Sequence, residues 1–175
     1  FTNIGQFRQI DVMREQVPKL VVGVHYSHNS GMSSRRGRYS GRILYLNSND
    51  EESLPDYFKY GADFLFKYRG FSALGEYVKS AATVPTDITQ RIRTDGSIST
   101  TFLVNDVQNV DAYVKGRMML GEAFNFQLGY LFKNNFSIDG RYTHLIADEN
   151  SFLNNATFYN RPNYYTLGVT KLSGR

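Results

Sequence analysis

KYGADFLFKY, residues 59–68, is followed by Arg69-Gly70 and then by FSALGEYVK, residues 71–79. Successive side chains of a strand point to opposite faces. One face of residues 59–68 therefore carries Tyr60, Ala62, Phe64, Phe66 and Tyr68, and the other carries Lys59, Gly61, Asp63, Leu65 and Lys67. FNFQLGYLF, residues 124–132, splits the same way, with Phe124, Phe126, Leu128, Tyr130 and Phe132 against Asn125, Gln127, Gly129 and Leu131. After Lys133-Asn134-Asn135 comes FSIDGRYTH, residues 136–144. Both apolar faces begin and end with rings. Strands that cross an outer-membrane barrel have this pattern, with rings at the two interfaces and polar side chains toward the lumen.

Two further stretches alternate. KLVVGVHYS, residues 19–27, puts Leu20, Val22, Val24 and Tyr26 on one face; NYYTLGVTKL, residues 163–172, puts Tyr165, Leu167 and Val169 on one. Six strands are predicted, at 19–27, 58–68, 71–79, 123–132, 136–145 and 163–172. Pro18 and Pro162 stand just before strands, where a missing donor is tolerated. The connections 28–57, 80–122 and 146–162 are long and polar, whereas 69–70 and 133–135 are tight turns. Outer-membrane barrels alternate short turns with long loops in this way, while soluble sandwiches show more regular turn spacing. Within 80–122, the segment from Phe102 to Met119 reads as a short helix or a folded-in loop, because its period is mixed.

Composition agrees with this reading. The 175 residues have the length of one domain and include 13 Tyr, 13 Phe and no Cys, which favours β structure and excludes disulfides and thiolate chemistry. No run approaches the ~18 apolar residues of a transmembrane helix, a test that half-apolar barrel strands escape. The formal charge of +4 is mild and says little about nucleic acid. Phe1-Thr2-Asn3 has neither a basic start nor an apolar run, and Leu172-Ser173-Gly174-Arg175 is a turn-like tail. The chain is therefore expected to be part of a longer mature protein. Six strands fall short of the ~8 that a closed barrel needs, so further strands are expected to complete it.

REQVPKLVVGVHYSHN, FLFKYRGFSALGEYVK, FNFQLGYLFKNNFSIDGRYT and RPNYYTLGVTK together resemble the porin O and P family, the phosphate-selective porins of Gram-negative outer membranes. The likeness covers residues 14–79 and 123–172 in order. It implies a barrel of about sixteen strands, a homotrimer in the bacterial outer membrane, and passage of small anions such as phosphate. Membrane lipid and lipopolysaccharide would then be the surroundings. The family's constriction residues cannot be matched here position by position.

The candidates for anion attraction are Arg35, Arg36, Arg38 and Arg42 in the first long loop, with Lys59, Lys67 and Arg141 on the lumen-facing side of strands. Guanidinium and ammonium rings suit anion pores; solvated loop arginines are the plainer reading. Asp63, Glu76 and Asp139 share the lumen face. A lipid-facing Lys or Arg costs roughly 2–4 kcal/mol at the midplane, so alternation must turn these charges inward. Glu76 lies in the strand across the turn from Lys67, and Asp139 shares a face with Arg141. Such a mixed set serves either as an ion path or as a network stiffening the wall.

Nothing in the sequence points to catalysis or to a cofactor. His25 and His28 fall on opposite strand faces, which does not suit a metal site. Asp148-Glu149-Asn150 lacks the spaced ligands of a Ca²⁺ loop. No nucleophile elbow or helix-leading phosphate loop occurs. Three functions are compatible with the pattern. They are an anion-biased diffusion channel, a barrel with a structural or adhesive role, and a soluble barrel enclosing a ligand among its rings.

Overall fold

The computed structural model describes residues 9–32, 44–93, 95–154 and 161–172. Six long strands form one sheet: β1 (Lys19–Asn29), β3 (Asp56–Tyr68), β4 (Phe71–Thr83), β9 (Gly121–Leu131), β10 (Phe136–Ala147) and β11 (Asn163–Lys171). They pair in the order β1-β3-β4-β9-β10-β11, and every ladder is antiparallel. The chain is therefore an all-β antiparallel meander. Among the described residues, strands β1 and β11 each have one neighbour and the sheet does not close on itself.

All six predicted strands are present, several of them longer than alternation alone indicates. Strand β4 runs on to Thr83 because Ser80, Ala81 and Ala82 pair with Lys59, Phe58 and Tyr57. Small side chains carry no strong period there, so the sequence pattern ended early.

The tight turns set the register. Arg69 and Gly70 both adopt positive φ (49° and 92°), the conformation that matches a two-residue turn to strand twist. Tyr68 then faces Phe71, and every further β3–β4 pair follows. In the second turn Asn135 takes the left-handed conformation (φ 65°), which Asn tolerates better than most residues. The N–H of Phe132 donates to the carbonyl of Phe136 at 2.7 Å.

At the end opposite these turns, the long connections fold into a second layer. It contains β2 (Leu44–Leu46), β5 (Gln90–Ile92) and β6 (Ile98–Ser99) as a small sheet, and β7 (Leu103–Val104) with β8 (Val107–Gln108) as a hairpin. The α-helix α1 (Val110–Lys115) starts where the side chain of Asn109 accepts the N–H of Ala112. Tyr45, Ile88, Phe102, Val114, Met118 and Leu120 form the core of this layer. Tyr57 and Ala82, which point to the polar side of the sheet, pack against that core. The expected alternatives for Phe102–Met119 thus combine: a short helix lies within a folded-in loop.

Candidate functional site

Side chains of the polar face form continuous rows across the sheet. Gly23, Asp63, Glu76, Asn125 and Thr143 make one row, and Val21, Leu65, Leu74, Gln127 and Arg141 the next. Asp63 and Glu76 are directly opposed and exposed, an arrangement of like charges that costs stability in itself. Glu76 therefore neighbours an acid instead of Lys67, whose partner across the turn is Ser72. Arg141 donates to Oε1 of Gln127 from Nε (3.2 Å) and Nη2 (2.9 Å). Asp139 leans over Gly168, where an added Cβ would sit 2.7 Å from its Oδ2. Asp63 leans over Gly23 in the same way. Glycine is needed at both positions to let a carboxylate lie flat on the next strand.

Lys59 is exposed between Ser27 and Ser80. Lys67 is on the predicted face but only 3% exposed, surrounded by Asp11, Glu15 and Lys19. Residues 9–17 cause this burial. Oδ2 of Asp11 accepts the N–H groups of Gly70 (2.7 Å) and Glu15 (3.0 Å), and Arg14 donates to the carbonyls of Leu131 and Arg69. That segment clamps both tight turns and covers Lys67. Its ammonium is withheld from solvent, which sequence alternation alone does not reveal. Arg35, Arg36, Arg38 and Arg42 lie outside the described residues.

The opposite face is apolar and uncovered. Val24 is 82% exposed and Leu167 78%, while Phe124, Phe126, Leu128, Tyr130, Ile138 and Tyr142 are also exposed. No second layer of described residues packs there, so the rings line no enclosed cavity. Charged groups bound this face at both ends. At the loop end Nζ of Lys79 meets Oε1 of Glu122 at 2.7 Å, and the hydroxyl of Tyr77 donates to Oε2 of Glu122 at 3.1 Å. Nearby, Nε2 of His28 stands 3.5 Å from Oδ2 of Asp56, and its ring stacks on Phe58. At the turn end Arg69 lies over Tyr68 and Lys171 over Phe136. Lys79 and Glu122 were missed from sequence, although Lys79 shares the parity of Tyr77 and Glu122 that of Phe124.

In the loop layer, the guanidiniums of Arg91 and Arg117 lie over the Tyr113 ring, at 4.7 and 4.5 Å from its centroid. Arg117 also donates to the Tyr113 hydroxyl. The hydroxyl and then the N–H of Ser97 hold the Asp95 carboxyl below the usual carboxylate range. His25 faces the polar side and packs on Gly61. Among the described residues no three His, Asp or Glu side chains converge on one point. A scan against protein-family models, a search of curated proteins and a search of solved structures each find no match to this chain.

Proposed function

We propose that the chain is the wall of an outer-membrane channel that passes small hydrophilic solutes by diffusion, with a bias toward anions such as phosphate. The carrying observation is an uncovered apolar face bounded by charge at both ends and backed by a polar face. Strand β9, Gly121–Leu131, extends about 33 Å at ~3.3 Å per residue. Tilted by about 40°, it spans about 25 Å, the height of a barrel's apolar band. Rings lie along both margins of that face, as they do at bilayer interfaces.

On this reading the polar face is the lumen wall and no chemical step occurs. Solutes diffuse past Lys59, Arg141 and the acids between them, and loop arginines raise the local concentration of anions. The free edges of β1 and β11 must pair with further strands, because edge amides find no partner in lipid. The resemblance to phosphate-selective porins adds a homotrimer of about sixteen-stranded barrels to the proposal.

Full-length protein in planar bilayers should give ohmic pores whose reversal potential in a KCl gradient favours chloride. Equal permeability to potassium and chloride would remove the anion bias and leave the channel. A second reading has one observation in its favour. The loop layer carries its own core and packs on the polar face, as expected if the barrel is an anchor for a surface assembly. Protein that inserts and shows heat-modifiable migration, yet conducts no current, would favour that reading.

A further inference from the structure

A concave cleft of about 600 Å³ lies in the loop layer, between the α1–β7 region and residues 149–154. That volume is in the range of small-ligand sites. Bonds to the chain at Met118 and Leu120 fix one side of the cleft, where Ser151 and Phe152 line it. The hydroxyl of Ser151 accepts the N–H of Leu120 at 2.9 Å and donates to the carbonyl of Met118 at 3.2 Å. The N–H of Phe152 donates to that same carbonyl at 2.9 Å. Asp148, the first residue of the acidic triplet, is occupied in the turn, where it accepts the N–H of Asn150. The Arg91–Tyr113–Arg117 stack stiffens the helix side.

The lining groups contrast with this rigid frame. Asn105, Arg117, Glu149 and Asn150 all line the cleft. Among the described residues Arg117 and Glu149 form no ion pair, since the pairs present are Lys19–Glu15, His28–Asp56, Lys79–Glu122 and Lys115–Asp111. Arg117 therefore keeps free donors, Glu149 keeps free acceptors, and the two amides offer both. Phe152 adds an apolar wall. A phosphate-like anion would gain from Arg117 and be repelled by Glu149. A neutral ligand with several hydroxyls uses every group, because each hydroxyl both donates and accepts.

We infer that this cleft binds a neutral oligosaccharide. Arg117 donates to hydroxyl oxygens, Glu149 accepts from hydroxyls, and Asn105 and Asn150 do both. Because the frame is already ordered, little freedom remains to be lost on binding. This inference does not depend on the channel reading.

The test is calorimetric titration of the full chain in detergent micelles with maltohexaose, cellohexaose, xylohexaose and chitohexaose, and separately with inorganic phosphate. At least one glycan should bind saturably with one site, and phosphate should neither bind there nor compete. Glu149→Gln, at an exposed position where only the backbone carbonyl is bonded, to the Asn154 amide, should weaken the glycan by about tenfold or more. Lys133→Gln, at the opposite end, should not change it. No binding by any of the four glycans, competition by phosphate, or unchanged affinity in Glu149→Gln would each overturn the inference. A conducting pore that binds no glycan would leave the channel standing alone, and glycan binding without conductance would leave the cleft.

Discussion

At the scale of single residues, position within a strand decides what a substitution costs. Leu128 and Gln127 are neighbours on β9, yet Leu128 faces the bare apolar side and Gln127 the polar side beside Arg141. Under the membrane reading, Leu128→Arg should cost roughly 2–4 kcal/mol, and Gln127→Lys far less, in urea-dependent folding into lipid vesicles. Equal costs would remove the lipid assignment. Gly75 is constrained differently: a Cβ there would lie 2.2 Å from Cε1 of Phe64. Gly75→Val should destabilise by about 1–3 kcal/mol, and Phe64→Leu in the same chain should recover part of it in the same assay. These faces were legible in sequence, since alternation assigns Phe64, Phe126 and Asp63 without structure. The opposition of Asp63 and Glu76 was legible too and was overlooked. A two-residue turn closing Tyr68 onto Phe71 fixes every β3–β4 partner.

At the scale of elements, long strands announce themselves and short ones do not. Strands β3 and β9 hold enough residues for a period of two to stand out, whereas β6, β7 and β8 have two residues each and hold none. The loop-layer core collects Tyr45, Ile88, Phe102 and Val114 from separate segments, and only folding brings them together. Phe102 is fully buried there. Phe102→Ala should cost about 3–5 kcal/mol within that layer alone. Limited proteolysis should then cut within 84–120 while heat-modifiable migration persists; loss of that migration would show that sheet and layer are one cooperative unit. Burial of Lys67 had a similar origin. It depends on Asp11 and Arg14 folding back over both turns, and residues 9–17 carry no period that signals this. Asp11→Ala leaves the Gly70 N–H buried without a partner and should destabilise by about 1–3 kcal/mol, measurable as a lower midpoint in urea.

At the scale of the whole molecule, the sheet has one apolar and one polar face, and the membrane reading assigns the first to lipid and the second to water. Spin labels at Phe64, Phe126 and Ile138 in vesicle-reconstituted protein should be accessible to oxygen, and labels at Asp63, Gln127 and Asp139 to a water-soluble nickel reagent. The reverse pattern would end the channel proposal. Charge follows the same division. On the polar side Lys59 and Arg141 are interspersed with Asp63, Glu76 and Asp139, so any strong anion preference must come from elsewhere in the protein, the loop arginines included. The outermost strands have a further consequence. Until its neighbour pairs with it, each presents a template on which another copy can add edge to edge, so under the membrane reading dilution and rapid transfer into lipid, rather than slow refolding at high concentration, should decide the yield of native protein.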